Sequence, residues 1–249
     1  MSDKFSYVGS GLIVARDWGT NDGWDSLGNC TAFSIEPQTA EITLPDGTNP
    51  GGGIFDKLQR VNDYRLNITF HELFPENLAR FGRGNVKSVP GATVADEPHW
   101  AYKGKWIPLK YSALTVTAVE PAGGGAAYTA GTDYIVDRGM LFIPATSTIA
   151  DATSAANIDV TYTHGAISRN EMGTRSQSYV ELQLRAANES RGGKALTVSV
   201  HKLATGVLQG LALLGDEYAA PTVTSSITSD PAKRVDGDTS AYYIIDQEA

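Results

Sequence analysis

The strongest constraint on the fold is an alternation of apolar and polar residues with a period of two. It is clearest at Tyr64–His71, where every second residue from Tyr64 to Phe70 is apolar and the residues between them are polar. Successive side chains of a strand point to opposite faces, so this pattern predicts a strand with one buried and one wet face. The same alternation recurs in three other segments: 39–44, 179–186 and 194–201.

These segments predict two long hairpins. The stretch AANESRGGKA, rich in Asn, Ser and Gly, is typical of a hairpin connection between 179–186 and 194–201. In the other hairpin, 39–44 is predicted to pair with Tyr64–His71, with its apolar residues pointing inward: Ala40, Ile42 and Leu44. The connection of this hairpin, Pro45–Asn62, is unusually long. Loops of more than about 12 residues without regular structure are uncommon and usually functional, so a functional loop is predicted here.

The helical signals are few. Pro75 suits the first turn of a helix, ENLARF follows it, and Gly82 suits the end, which predicts one helix of about two turns. A second helical candidate is TGVLQGLALLGDEY, although Gly206 and Gly210 interrupt it.

The texture of the chain changes between 85 and 168. There, loops rich in Ala, Gly and Thr separate short strands, which is typical of a small β-sandwich module. We therefore predict a mainly β protein of β-sandwich or barrel type with one short α-helix. Its core domain is expected to comprise 1–84 and 169–249, with 85–168 inserted as a β-rich accessory module. The final SAYYIID is predicted to add a last strand to the main sheet.

Composition excludes several kinds of partner. The formal charge is −8, so a general attraction to nucleic acid is not expected. No apolar run approaches the roughly 20 residues of a membrane helix, and the first residues lack the pattern of a signal peptide. Cys30 is the only cysteine, which excludes an intramolecular disulfide and is typical of a small core residue.

Catalytic signals are weak. The cluster most like a metal site is Asp96, Glu97 and His99, but its spacing fits no zinc or calcium pattern and favours an exposed turn or loop. The chain has no nucleophile elbow and no phosphate-binding loop, so a hydrolase lacks a motif. The sequence thus predicts a protein that is not an enzyme, with no catalytic residue, metal site or cofactor.

Several motifs follow one another in a recognisable order. The first are YVGSGLIVARD, LGNCTAFSIEPQTAEITL, a long loop and YRLNITFHELFPENLARFGRG. Next come YTAGTDYIVDRGMLFIP and IDVTYTHGA in the inserted segment, then the hairpin YVELQLRAAN…KALTVSVHKL and the final YYIID. This order resembles the tail tube proteins of long-tailed bacteriophages, in which a strand runs into a short helix with a pattern of the SPENLA type, matched here by FPENLA. The resemblance covers nearly the whole chain.

The resemblance implies a structural protein of the virion that assembles with itself into stacked hexameric rings. The rings would form a hollow tube through which viral DNA passes without sequence-specific binding. The other implied partners are the tape-measure, tail tip and tail terminator proteins, with assembly in the host cytoplasm and no role for a membrane. The inserted module is expected to project outward, which favours a flexible, non-contractile tail.

The resemblance also implies roles for particular residues. The loop Pro45–Asn62 would reach a neighbouring ring through six residues: Gly51, Gly52, Gly53, Ile54, Phe55 and Leu58. The polar faces of the long strands would line the lumen through nine residues: Glu36, Glu41, Arg65, Asn67, Thr69, His71, Glu181, Gln183 and Arg185. The two arginines Arg65 and Arg185 are predicted to form cross-strand ion pairs with the acids.

A binding module of β-sandwich type is the alternative. Four tryptophans occur in two pairs within loop-like contexts, DWGTNDGW and HWAYKGKW, and could recognise a carbohydrate or another surface: Trp18, Trp24, Trp100 and Trp106. Aromatic residues also anchor protein interfaces, so packing of loops or subunits explains the same residues.

Overall fold

A computed structural model describes residues 6–248 of the chain. Strands occupy 49 % of the residues and helices 5 %, and the sheets are antiparallel. The prediction of a mainly β protein of β-sandwich type with one short α-helix is therefore confirmed.

The elements alternate between long strands at both ends of the chain and short strands in its middle. The strands before the helix are β1 (Gly9–Asp17), β2 (Asp25–Ser26), β3 (Cys30–Pro45) and β4 (Ile54–Phe70). The helix α1 (Pro75–Phe81) follows, and the short strands are β5 (Asn85–Val89), β6 (Ala92–His99), β7 (Trp106–Ile107), β8 (Thr115–Pro121), β9 (Ile135–Asp137), β10 (Met140–Phe142), β11 (Ile158–His164) and β12 (Ile167–Glu171). The last strands are β13 (Tyr179–Asn188), β14 (Lys194–Ala204), β15 (Leu208–Gln209), β16 (Thr222–Ile227) and β17 (Tyr243–Gln247), with 3-10 turns at Glu189–Arg191 and Pro231–Lys233.

The chain divides into two compact units. The first comprises Met1–Val86 and Asn170–Ala249, and the second comprises Lys87–Arg169. The inserted module was predicted to span 85–168. The second unit begins two residues later and ends one residue later than this prediction.

The first unit is built on one nine-stranded sheet. Its order is β2-β1-β13-β14-β16-β4-β3, with β15 on β16 and β17 on β14. One edge of β14 pairs with β13; the other pairs with β17 along Leu196–Val200 and with β16 at Leu203 and Ala204. The sheet therefore forks at β14, and both branches turn apolar side chains into one core.

Alternating residues build this core as the sequence predicts. On β4 they are Leu66, Ile68 and Phe70, each almost fully buried. The strands β13 and β14 contribute further alternating buried residues: Val180, Leu182, Val198 and Val200. The predicted strands at 64–71, 179–186 and 194–201 are confirmed, the first as far as Phe70. The hairpin that joins the last two and the final strand β17 are confirmed as well.

The helix at Pro75 is also confirmed. Pro75 lies in its first turn, and the Gly82 N–H donates to the Leu78 carbonyl oxygen at 2.7 Å to close its last turn. Phe81 is buried against Phe70, with ring centroids 5.9 Å apart. None of the helices in residues 6–248 is long and apolar enough to span a membrane.

The prediction for the first hairpin is partly wrong. Residues 30–37 pair with 64–70, whereas 39–44 pair with 56–61, so β3 and β4 continue far beyond the predicted strands. In the supposed long loop Pro45–Asn62, only the eight residues 46–53 form a turn. Residues 54–62 belong to β4 and form a two-stranded ribbon with the end of β3. The inward placement of Ile42 and Leu44 is also wrong, because both side chains are more than half exposed.

The second helical candidate is wrong as well. Its residues form β15 at Leu208–Gln209 and an irregular connection to β16. Because Gly210 and Gly215 have positive φ angles of 69° and 145°, a regular helix cannot run through them.

The second unit has its own core. Two three-stranded sheets occur in it, β7-β10-β9 and β6-β11-β8. Tyr162, Val160 and Ile158 of β11 are fully buried in this core, with Leu141 of β10. The predicted exposed turn at Asp96, Glu97 and His99 is wrong, because these residues lie on β6 and the side chains of Glu97 and His99 are each only 14 % exposed.

Candidate functional site

The distal half of the β3–β4 hairpin is the most unusual surface of the first unit. Near the core, β4 alternates between buried and partly exposed residues, but every residue from 53 to 62 is exposed. Seven residue pairs continue the ladder here, from Thr39 opposite Val61 to Pro45 opposite Ile54. At about 3.3 Å per residue, this ribbon extends about 20 Å without a covering layer from its own chain.

The ribbon has two chemically different faces. On one face Ile42 lies directly opposite Leu58, and Leu44 follows two residues later. On the other face Glu41 forms an ion pair of 2.7 Å with Lys57, and Gln59 donates to Thr39 Oγ1 at 3.2 Å. The polar groups therefore satisfy one another on one side, and the other side carries Ile42, Leu44 and Leu58 together with the charged Asp56 and Arg60. We call the set Ile42, Leu44 and Leu58 the apolar hairpin face.

The end of the hairpin is shaped by a glycine turn. Gly52 and Gly53 have φ angles of 70° and 138°, which disfavour residues with a Cβ. Across the turn the Asp46 N–H donates to the Gly53 carbonyl oxygen at 2.9 Å. Hydrogen bonds from the Thr48 hydroxyl and N–H lower the pKa of Asp46. Next to this turn, Ile54 and Phe55 are 63 % and 67 % exposed. The six residues predicted for contact with a neighbouring ring thus lie together, in the turn or on the ribbon.

Five of the predicted lumen residues share the polar side of β3 and β4. Glu36 Oε1 accepts a hydrogen bond of 3.1 Å from Asn67 Nδ2, and Asn67 Oδ1 accepts one of 2.8 Å from Thr224. Thr69 lies opposite Thr222 of β16. His71 follows the end of β4, and its ring nitrogens lie 3.0 Å from Thr31 Oγ1 and 3.0 Å from the Ala219 carbonyl oxygen.

Arg65 does not form the predicted cross-strand ion pair with one of the lumen acids. It lies directly opposite Glu36 in the ladder, yet its Nε lies 3.4 Å from Asp63 Oδ2 on its own strand. Glu41 is separate from these residues, because it lies on the polar face of the distal ribbon.

The other three lumen candidates lie on β13. Glu181 forms an ion pair of 2.6 Å with Arg16, whose guanidinium lies 4.7 Å from the ring centroid of Trp24. Arg185 donates to Gln183 Oε1 at 3.1 Å and to Thr197 Oγ1 at 3.4 Å. The predicted ion pair of Arg185 with an acid is therefore wrong. The nine candidates occupy three surfaces of the first unit, and each surface has its own hydrogen-bond partners.

The sequence prediction missed a second exposed apolar surface. Between β15 and β16, Leu214 and Tyr218 are 97 % and 92 % exposed, and Leu213 is largely exposed. A shallow cavity of about 530 Å³ opens beside Leu214 and Tyr218. The apolar residues of this surface are visible in the sequence LALLGDEY. Their spacing suggested a helix, however, and in a helix these side chains would have packed on a core.

The four tryptophans lie in different environments. Trp18 donates its indole N–H to Asp230 at 3.1 Å, and Lys202 Nζ lies 3.9 Å above its ring. Trp24 is covered by Arg16. In the second unit, Trp106 packs against Phe142 with ring centroids 4.9 Å apart, and both Trp100 and Trp106 remain about half exposed.

A charged cavity of about 290 Å³ lies beside α1. Its basic residues are Arg80, Arg83 and Arg175, and its acidic residues are Asp17, Asp25 and Glu76. Arg80 forms an ion pair of 2.7 Å with Asp25 and lies 3.7 Å from Asp17. The signs balance, so the cavity has no net attraction for an ion of either charge.

Other ionisable groups are held by local contacts. His201 is partly buried, and burial together with the nearby Lys233 lowers its pKa. Burial and the nearby carboxylate of Glu72 raise the pKa of Cys30 to about 11. Among residues 6–248, no three His, Cys, Asp or Glu side chains are placed to hold a metal ion together.

Comparison with other proteins gives a family without an assigned activity. No curated protein matches the chain. The sequence model of a family described as "Protein of unknown function UCP028589" matches residues 6–246. Because this match covers nearly all of the 249 residues, the chain belongs to that family of unknown function.

Proposed function

We propose that this protein is a structural subunit that assembles with itself into stacked hexameric rings, forming the hollow tail tube of a long-tailed bacteriophage. The observation that carries the proposal is the apolar hairpin face. It belongs to a ribbon that is paired along its whole length but is uncovered by its own chain. Such a surface is suited to a subunit whose partner is another protein molecule.

The energetics of a two-stranded ribbon support this proposal. An isolated hairpin is at best marginally stable in water, because it cannot bury an apolar face. Here Ile42 and Leu58 meet across the ladder while both remain about half exposed. Full burial of an exposed side chain of this size contributes about 1.5–3 kcal/mol, so each of these half-exposed side chains can contribute roughly half as much, and a partner that covers this face would stabilise both the ribbon and the assembly.

The edge of the main sheet supports ring formation. β3 is the last strand of the sheet, so one of its edges is unpaired within the part of the chain that the structure describes. Unpaired edges are templates for pairing with another chain, and closure of a barrel removes them. Pro37 and Pro45 lie on β3 without N–H donors, which restricts where a neighbouring strand could pair.

The polar residues of β3, β4 and β13 supply the proposed lumen. The candidates for this wall are Glu36, Arg65, Asn67, Thr69, His71, Glu181, Gln183 and Arg185, with Glu41 closer to the hairpin end. The net charge of −8 disfavours adhesion of passing DNA. The tape-measure protein would occupy the same channel before the DNA, and the tip and terminator proteins would close its two ends.

A second candidate function rests on the aromatic surface of the second unit. Trp100, Tyr102 and Trp106 are about half exposed there, and aromatic rings of this kind can stack on a sugar. Binding of this unit to a carbohydrate surface is compatible with a structural role for the first unit. A glycan array probed with the full-length protein tests it: binding that Trp100→Ala abolishes supports it, and no bound glycan counts against it.

The test of the assembly proposal removes the distal ribbon. Glu41 lies directly opposite Gln59, so an Asn-Gly turn can join them in place of residues 42–58. We expect the shortened protein to keep its unfolding temperature within about 3 °C, because the deleted residues make no core contacts. In sedimentation velocity it should remain a small species under conditions in which the full chain assembles.

The matched control changes the other face of the same ribbon. Glu41→Gln combined with Lys57→Gln removes the ion pair and leaves the apolar hairpin face intact. This variant should assemble like the original chain. Normal assembly of the shortened protein would contradict the proposal.

A further inference from the structure

The connection between β15 and β16 is the second surface without a covering layer. All of its residues 210–220, which we call the exposed segment, are exposed except the partly buried Ala219. Leu213, Leu214 and Tyr218 are directed into water, and Asp216 and Glu217 lie between them. The segment contains no Lys or Arg, so it combines apolar side chains with two negative charges.

The exposed segment lies at the opposite end of β4 from the hairpin turn. The Phe70 N–H donates to the Pro221 carbonyl oxygen at 3.2 Å, and His71 Nδ1 lies 3.0 Å from the Ala219 carbonyl oxygen. The hairpin turn leads into the other end of this strand, at Ile54. At about 3.3 Å per residue, the two ends of β4 are about 50 Å apart.

A head-to-tail contact requires two different contact surfaces, one at each end of the subunit. The hairpin and the exposed segment lie at opposite ends of β4. A head-to-tail interface joins one patch to a different patch on the next copy, and therefore repeats without limit when it does not close into a ring. We propose that the apolar hairpin face of one copy docks on the exposed segment of a second copy. This proposal rests on the proposed self-assembly and assigns the surface that receives the hairpin.

Both surfaces carry exposed apolar side chains that can bury one another. Arg60 lies opposite Ala40, on the same side of the ribbon as Leu58, and is exposed. It would meet the acidic pair Asp216 and Glu217, although Asp56 on the same side limits the charge difference. The cavity beside Leu214 and Tyr218 offers a concave surface for an apolar side chain of the ribbon.

Cross-linking between two variants tests this contact. In a Cys30→Ala background, one protein carries Leu44→Cys on the apolar hairpin face, and the other carries Ala212→Cys in the exposed segment. A short flexible bismaleimide is added to the mixture, and the linked peptides are identified by mass spectrometry. We expect a Leu44→Cys to Ala212→Cys link in the mixture, at least tenfold more abundant than links within either protein alone.

Thr43 provides the matched control, because it is the neighbour of Leu44 on the polar face of the ribbon. Thr43→Cys mixed with Ala212→Cys should give at least tenfold less of the mixed link. If Leu44→Cys mainly links to itself, the hairpins pair with each other and the head-to-tail contact is wrong. If the mixture assembles without any mixed link, the receiving surface is wrong while self-assembly stands; if even the unmodified protein never assembles, both proposals fail.

Discussion

At the scale of single residues, the network around Glu97 shows how a cluster that resembles a metal site serves structure. Glu97 Oε2 accepts a hydrogen bond of 2.7 Å from the Tyr162 hydroxyl. Glu97 Oε1 lies 2.8 Å from His99 Nε2 and accepts a bond of 3.0 Å from the Lys110 N–H. Burial alone would raise the pKa of Glu97, but these hydrogen bonds and His99 together lower it. The carboxylate is therefore fully used inside the second unit.

Glu97→Gln should destabilise the protein by about 1–3 kcal/mol at pH 7, because the replaced oxygen leaves a buried donor unpaired. Because folding lowers the pKa of Glu97, its ionised carboxylate stabilises the folded protein. Its stabilising effect is present above the ordinary value of 4.5 and disappears as the pH falls through the lower folded value. Urea unfolding at several pH values should show the difference between the two proteins shrinking below pH 4.5. Glu120→Gln, on strand β8 of the same sheet, should change stability by less than about 0.5 kcal/mol; an equal effect there would contradict the role of the network.

Cys30 offers a second test at this scale. Its thiol is half-buried near Glu72, and its pKa is raised from 9.0 to about 11. Two pKa units mean about 100-fold fewer reactive thiolates at pH 8. Alkylation by iodoacetamide should therefore be at least about tenfold slower in the folded protein than in urea. Equal rates in both states would show that the thiol is open to water and not perturbed.

At the scale of elements, sequence reasoning succeeded where one face of a strand is buried. The alternation at 64–70 and 179–186 is visible because Leu66, Ile68, Val180 and Leu182 must enter the core. The helix was predictable because Pro75 and Gly82 mark its two ends. In these elements the local pattern and the tertiary environment impose the same periodicity.

The distal ribbon escaped prediction for the opposite reason. No core selects one face of 54–62, and the glycines and prolines at 45–53 suggested a loop. Its strand form depends on backbone pairing with β3, which a local pattern does not encode. The pairing of β1 with β13 could not be predicted either, because it joins residues far apart in the sequence, such as Gly9 and Asn188.

The fork of the sheet predicts one sensitive glycine. A Cβ at Gly206 would overlap the Thr224 carbonyl oxygen of β16, whereas at Gly23 it would meet no atom within 4 Å. Gly206→Ala should therefore cost about 2 kcal/mol or more, because the backbone of β16 must shift. Gly23→Ala should stay within about 0.5 kcal/mol of the original protein. Thermal unfolding compares the two, and an unchanged transition for Gly206→Ala would show that the fork is not tightly packed.

At the scale of the whole molecule, two exposed apolar surfaces support the proposed self-assembly. Exposed apolar side chains are grouped on the distal ribbon and on the exposed segment. Both belong to the first unit and lie at opposite ends of β4. A subunit with these two surfaces is expected to gain additional stability from other copies.

Negative-stain electron microscopy of the purified full-length protein, over a series of rising concentrations, tests this central claim most directly. The account predicts six-fold rings that stack into hollow tubes, with tubes becoming longer as the concentration increases. A protein that stays a dispersed monomer at every concentration, or that forms only closed dimers, would contradict it.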